Sequence, residues 1–135
     1  MASEFAMEPM LELFLFETSQ LTEQLEQTII RSESSGGYDI ADINEIFRVM
    51  HSIKGASSMM LFDNMATFAH CVEDVFFYLR EAQPVNVDCA QLSDLLLAGV
   101  DYIKSELAKI KCGKDSDGDA STLVAAIQDY LTGLK

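Results

Sequence analysis

Apolar side chains recur along this chain at the three- and four-residue spacing of amphipathic helices. The spacing predicts five helices, at about Pro9 to Arg31, Asp42 to Leu61, Asp63 to Glu81, Asp88 to Ile110 and Ala120 to Leu134. No segment alternates convincingly as a strand does. Because long helices joined by short connections favour antiparallel neighbours, the predicted fold is all-α: an antiparallel helix bundle with a four-helix core plus a fifth C-terminal helix.

Short polar side chains mark where the predicted helices begin. The first helix starts on Pro9, because proline suits a first helical turn. Asp42, with Glu45 three residues later, has the spacing of a capping box. Asp63, Asp88 and Asp119 are the expected N-caps of the three helices that follow.

Length and composition are typical of one globular domain. The chain has 135 residues, of which 49% are hydrophobic. No apolar run approaches the roughly 20 residues that span a bilayer, and no basic segment precedes an apolar stretch as in a signal peptide. Residues 1–6 (MASEFA) are interpreted as a vector-derived leader, and residues 7–135 as a single helical domain.

The chain is strongly acidic. Its net charge of −13 comes from 22 acidic and 9 basic residues, which disfavours binding to nucleic acid or to an anionic membrane. The charge indicates either a neutral or basic partner surface or simple solubility. Cys71, Cys89 and Cys112 are far apart, without the spacing of a zinc site, so we expect free thiols in a reducing cytoplasm.

The candidate chemistry lies on the second and third predicted helices. A helical wheel places His51 roughly 120° from the centre of the apolar face of its helix, and His70 also faces solvent. Folding the two helices back about Phe62 pairs residues that lie equally far from it in sequence. His51 then meets Glu73, Lys54 meets His70, and Phe47 meets Phe77. We expect a surface cluster of His51, Lys54, His70 and Glu73.

Such a cluster suits acceptance of a phosphoryl group. An imidazole has an unperturbed pKa of about 6.5 and is nucleophilic when neutral. If Glu73 accepts the Nδ1 proton of His51, Nε2 is left free to attack. Lys54, one turn away, can stabilise the negative charge that develops on the phosphoryl oxygens. Two alternatives stay open: a surface histidine without a role, and a metal site of His51, His70 and Glu73, against which the Lys54 ammonium argues.

Gly55 lies within the second predicted helix, and one of its two possible explanations supports a functional site at the cluster. Glycine inside a helix costs about 1 kcal/mol relative to alanine, so this position needs a reason. Gly55 lies one turn beyond His51, where the missing side chain lets a partner or a phosphate approach closely. Close packing against another helix explains the glycine equally well.

The segments around the cluster resemble a known family. The sequence HSIKGASSMMLF from His51 follows EIFRVM, and AHCVEDVFFYLRE follows from Ala69. These segments closely resemble the histidine phosphotransfer domains of the CheA family of chemotaxis histidine kinases, over about residues 10–107. The family's pattern departs at Ala56 and Leu61, where glycine is common, and at Phe76 and Phe77, where residues are often smaller or polar.

The resemblance implies a function and a role for each residue. The position of His51 is phosphorylated on Nε2 by a separate ATP-binding kinase domain, in cis or in trans, and passes the phosphoryl group to response-regulator aspartates. The positions of Lys54, Glu73 and His70 belong to the same site. A cytoplasmic, monomeric carrier is therefore expected, with no cofactor or metal of its own, because ATP and magnesium would bind to partner domains. The alternative is a helical interaction module that has lost phosphotransfer.

Overall fold

The computed structural model describes the backbone of residues 2–135 and the side chains of residues 9–135. The described chain contains five helices and no strand: α1 (Ala2–Ser34), α2 (Ile40–Met59), α3 (Asp63–Ala82), α4 (Cys89–Lys111) and α5 (Ser121–Leu134). The predicted all-α class and the number of helices are confirmed. No helix within these residues is both long and apolar enough to cross a bilayer.

Helix α1 begins earlier than its sequence suggests. It starts at Ala2 and carries Pro9 inside, rather than in its first turn. Met1 lies outside the described residues. The interpretation of residues 1–6 as a leader therefore stays a prediction.

The start of α2 differs from the prediction in its capping residue. Asp39, and not Asp42, is the N-cap, and the capping box pairs Asp39 with Asp42. Asp42 cannot be the cap because its buried carboxylate faces α1, where it accepts hydrogen bonds from Ser32 and Arg31. Glu45 also faces α1 and accepts a hydrogen bond from Thr28. The predicted capping pair instead joins α1 to α2.

The N-caps predicted for α3, α4 and α5 are only partly confirmed. Asp88 caps α4 as predicted, since its carboxylate accepts a hydrogen bond from the backbone N–H of Gln91. The predicted cap of α3 is wrong, because Phe62 holds that position without a side-chain hydrogen bond. The N-cap of α5 is Ala120 rather than Asp119, yet the Asp119 carboxylate accepts a hydrogen bond from the Ser121 N–H at the start of the helix. Helix α3, which has no side-chain cap, depends on packing for its stability.

The core is formed by the inward faces of the helices. Helices α2 and α3 form the most extensive pair, α1 packs against α2 and α4, and α5 packs against α3 and α4. Its largest fully buried apolar side chains are Phe68, Phe76, Leu25, Ile29, Ile46, Met50, Ile53, Met65, Ile103, Val72 and Val75. Phe68 lies so close to Gly99 that a Cβ built on this glycine would overlap the Phe68 ring.

A buried carboxylate fixes the connection between α4 and α5. Glu106 is 1% exposed. It accepts hydrogen bonds from the Ser116 hydroxyl and the Gly118 N–H, both at 2.9 Å, and pairs with Lys109. Burial alone raises the pKa of Glu106, but these contacts outweigh it and hold the pKa below its usual value. The carboxylate is therefore ionised at neutral pH and organises the loop.

Candidate functional site

The candidate site lies on the hairpin formed by α2 and α3. Only residues 60–62 separate the two helices, and Leu61 adopts a left-handed conformation with φ of 64°. Glycine is the residue that adopts this conformation without strain. The tight turn nevertheless sets the register that the sequence predicts, because His51 lies beside Glu73 and Phe47 beside Phe77.

His51 is held at one edge and open at the other. Its Nδ1 atom lies 2.5 Å from Oε2 of Glu73, while its side chain is 65% exposed. The ring thus projects from α2 into solvent and is anchored through one nitrogen. This is the arrangement that a surface nucleophile needs.

Glu73 is more buried than its wheel position suggests. The sequence indicates a surface residue, but the structure gives a residue that is only 7% exposed. The prediction of a surface carboxylate is wrong because the side chains of His51 and Lys54 cover it. Burial raises the pKa of Glu73, but hydrogen bonds from Lys54 and His51 outweigh burial, and the net pKa is below its usual value.

The ionisation of Glu73 decides where the proton of His51 lies. A carboxylate without a proton can only accept hydrogen bonds, so Nδ1 of His51 must be the donor in their contact. In a neutral imidazole the other nitrogen is then the acceptor. Nε2 of His51 therefore carries the free lone pair, as the sequence argument expects.

Lys54 completes the site by binding the second oxygen of Glu73. Its Nζ lies 2.6 Å from Oε1 of Glu73, and its side chain is 29% exposed. An ammonium group has three donors, so this contact leaves others for a negatively charged group beside His51. The pairing also compensates the charge of Glu73, which would otherwise be costly to bury.

His70 has a different polar partner from the one expected. The structure places its Nε2 atom 3.5 Å from Oδ1 of Asp74, one turn further along α3, with both side chains more than half exposed. The cause is the four-residue spacing, which puts Asp74 on the same face of the helix. His51, Lys54 and Glu73 are thus linked directly, and a role for His70 stays a prediction.

An aromatic group borders the site on the N-terminal side of His51. The ring of Phe47 is nearly parallel to that of His51, with 6.4 Å between their centres. Phe77, half-exposed, lies 6.4 Å from Phe47. The Arg80 guanidinium lies 4.4 Å from the centre of the Phe47 ring. The pairing of Phe47 with Phe77 was predictable, whereas Arg80 was missed, although it follows Phe77 by three residues on α3.

Gly55 lies on the open surface beside this site. A Cβ built on it would have no heavy atom within 4 Å. Close helix packing therefore does not explain this glycine, and close approach by a partner or a phosphate stays a prediction. The site consequently has a bare backbone surface on one side of His51 and the aromatic group on the other.

The possible metal site is not assembled. Within the described part of the chain, no group of three or more His, Cys, Asp or Glu residues is arranged to hold a metal ion. His51 and Glu73 are in contact, but His70 pairs with Asp74 instead. The thiols of Cys71, Cys89 and Cys112 are free.

Comparison with known protein families finds a match over most of the chain. A family model described as "Hpt domain" matches residues 9–111. The chemotaxis protein CheA of Borreliella burgdorferi is 36% identical over 124 residues, which cover 92% of this chain and 14% of the relative. CheA of Treponema pallidum is also 36% identical, over 92% of this chain and 15% of the relative. The chain thus spans about a seventh of the length of these curated relatives.

Two solved structures share the fold. One is the solution structure of the histidine phosphotransfer domain of CheA, with a TM-score of 0.78, 28% identity and coverage of 92% of both chains. The other is the phosphorylated P1 domain of CheA3 in complex with CheY6 from R. sphaeroides, with a TM-score of 0.81 and 19% identity over 94% of this chain and 98% of that one. At 19% identity the second likeness concerns the fold alone.

Proposed function

Because this chain belongs to the histidine phosphotransfer domain family, we propose that it is a phosphoryl carrier whose acceptor is His51. The observation that carries the proposal is the contact between Nδ1 of His51 and the buried Glu73, with the ring open to solvent. This geometry provides an oriented nucleophile on an exposed surface. A protein active site can reach such a surface, which suits a carrier better than an enclosed pocket would.

Phosphorylation uses the free lone pair of His51. Nε2 attacks the γ-phosphorus of ATP bound to a separate kinase domain; the new N–P bond forms as the bond to the ADP oxygen breaks. The Nδ1 proton stays in place, so the phosphorylated ring becomes cationic. The carboxylate of Glu73 stabilises this cation, while the Lys54 ammonium offsets the negative charge on the phosphoryl oxygens.

Transfer onward reverses the same bond changes. A carboxylate oxygen of a response-regulator aspartate attacks the phosphorus, the N–P bond breaks, and its electron pair returns to Nε2. His51 leaves as a neutral imidazole that still donates Nδ1–H to Glu73. No external acid or base is needed at the histidine in either step, so a carrier domain can serve two different enzymes.

The proposed partners follow from the relatives. The chain would act as the phosphotransfer domain of a CheA-like histidine kinase, with the kinase catalytic domain in cis or in trans. A chemotaxis response regulator would receive the phosphoryl group in the cytoplasm. ATP and magnesium would bind to those partners, and the carrier would need no cofactor of its own.

Labelling with radioactive ATP tests the proposal. A CheA kinase core that lacks its own phosphotransfer domain is incubated with the wild-type chain, with His51→Gln and with His70→Gln. We expect acid-labile phosphate on the wild type and on His70→Gln, and none on His51→Gln. Because the chain contains two histidines, this pair of variants assigns the acceptor. A wild-type chain that no competent kinase labels would favour an interaction module without phosphotransfer.

A further inference from the structure

The single hydrogen bond to Glu73 leaves one motion of His51 unrestrained. The hydrogen bond through Nδ1 restrains one distance, whereas two side-chain torsions, χ1 and χ2, set the position of the ring, so the imidazole can still turn by a coupled change in both. Such a turn moves Nε2, which is the atom that must meet phosphorus in line. Positioning of reacting atoms is a large part of the barrier in such transfers, so a second contact with the ring face is needed to orient it.

Phe47 provides this second contact. Its ring lies one helical turn before His51 and is inclined to it by only 12°, with 6.4 Å between centres. This separation is within the range in which aromatic rings attract in an offset stack. The Phe47 ring can restrain the plane of the His51 imidazole only if the orientation of the Phe47 ring is itself fixed by another contact.

Arg80 holds the plane of Phe47. The guanidinium carbon lies 4.4 Å from the Phe47 ring centre and 5.6 Å from that of Phe77, both within the distance of a cation–π interaction. The Nε of Arg80 donates to Glu81 at 3.1 Å, which orients the guanidinium plane. Arg80 thus fixes the Phe47 ring from α3, although Phe47 and His51 are both on α2.

We propose that Arg80 is a positioning residue for phosphotransfer, acting on His51 through the ring of Phe47. The inference rests on the proposed function for its consequence, but the restraint itself is a property of the free domain. Arg80 does not touch the phosphoryl group in this scheme. Its effect is to increase the fraction of time that Nε2 of His51 is aimed outward.

The test measures ring motion and phosphorylation in the same variants. Relaxation of the Cε1–H group of His51 is recorded by NMR in the free domain, with His70 as an internal reference. Arg80→Ala should make the His51 ring more mobile, leave His70 unchanged, and slow labelling by the kinase core about two- to fivefold. Arg80→Lys keeps a cation over the ring and should recover part of both effects.

Arg48→Ala is the matched control. Arg48 is an exposed arginine on α2, three residues before His51, and the described side chains give it no cation–π contact with Phe47. Its removal takes away the same charge but should leave the His51 ring unchanged. If Arg80→Ala unfolds the domain, Arg80→Gln, which keeps most of the aliphatic stem, replaces it.

Each other outcome overturns the proposal. Slower labelling with an unchanged ring would mean that Arg80 acts by docking the kinase. A more mobile ring with unchanged labelling would mean that this restraint does not matter for transfer, and no change in either would mean that Arg80 has neither role. A wild-type chain that is never labelled would contradict the proposed function, yet the ring measurement would still show whether the restraint exists.

Discussion

Replacing Glu73 by glutamine should remove the orientation of His51 while keeping the shape of the site. The carboxylate accepts two hydrogen bonds, from Nδ1 of His51 and from Nζ of Lys54. A glutamine amide offers one accepting oxygen and one donating NH₂ group. If the oxygen stays with Lys54, the NH₂ group faces Nδ1, which must then become an acceptor. The proton moves to Nε2 of His51 and blocks the lone pair that attacks phosphorus.

The expected decrease in the phosphorylation rate can be calculated from the hydrogen bond between His51 and Glu73 that is lost. A hydrogen bond to a charged group contributes about 1.5–3 kcal/mol, and each 1.4 kcal/mol changes a rate tenfold. Glu73→Gln should therefore slow phosphorylation of His51 by about one to two orders of magnitude. The fold should survive, because the substitution conserves the volume of a buried side chain and Lys54 keeps an accepting oxygen.

Initial rates of labelling by a kinase core give the measurement, with circular dichroism as the check on folding. Asp74→Asn is the control, since Asp74 is the next residue on α3 and the substitution removes the same charge, but its partner is His70. The nitrogen shifts of the His51 ring should also report Nδ1–H in the wild type and Nε2–H in Glu73→Gln. A labelling rate within twofold of the wild type, with the tautomer changed, would refute the argument that the tautomer controls acceptance.

Four further changes have outcomes that the structure determines. Lys54→Ala should slow phosphorylation about tenfold with the fold retained, because one cation beside the phosphoryl group is lost; labelling rates measure it. Leu61→Gly should raise the free energy of unfolding by about 0.5–1 kcal/mol in urea titrations, because the side chain is 78% exposed and φ is 64°. Gly99→Ala should lower the free energy of unfolding by about 1–3 kcal/mol, because the new Cβ would overlap the Phe68 ring. Glu106→Gln should destabilise the fold by about 2 kcal/mol at pH 7 and by less at pH 3.

The pH dependence of the last prediction follows from the direction of the pKa shift. The folded-state pKa of Glu106 is below the ordinary value of 4.5, so the folded state binds its proton less readily than the unfolded chain. The contacts of Glu106 therefore stabilise the fold above about pH 4.5, and this contribution is lost as the pH falls through the folded pKa. Equal destabilisation by Glu106→Gln at pH 7 and at pH 3 would contradict this prediction.

The same measurements can contradict the other three predictions. Unchanged kinetics in Lys54→Ala would remove Lys54 from the mechanism. A Leu61→Gly variant less stable than the wild type would show that Leu61 contributes packing which outweighs its strained backbone. Gly99→Ala with unchanged stability would show that the Phe68 ring can move aside without cost.

The register of the site could be predicted because one short turn determines it. Helical spacing identifies α2 and α3, and folding them about Phe62 places His51 beside Glu73 and Phe47 beside Phe77, as the structure does. The burial of Glu73 could not be predicted in the same way. A helical wheel gives the direction of a side chain but not the cover that longer side chains from the neighbouring helix provide.

Competition between polar partners explains the other differences. Asp42 has the sequence features of an N-cap, yet its carboxylate forms its contacts with α1, and Asp39 caps the helix. Folding the helices about Phe62 places His70 opposite Lys54, yet His70 pairs with Asp74, which lies on the same helix as His70. In both cases several acceptors are within reach, and sequence spacing does not rank them. The buried Glu106 was missed because two of its three donors, Ser116 and Gly118, come from a loop without periodicity.

All the residues that orient the nucleophile belong to one helical hairpin with a three-residue turn. Among the side chains of residues 9–135, none from α1, α4 or α5 contacts His51, Lys54 or Glu73 through a hydrogen bond or an ion pair. The reactive unit is therefore separable in principle from the bundle that supports it. An engineered antiparallel helix pair with the same register could receive these residues as a graft, and evolution could exchange the supporting helices without rebuilding the chemistry.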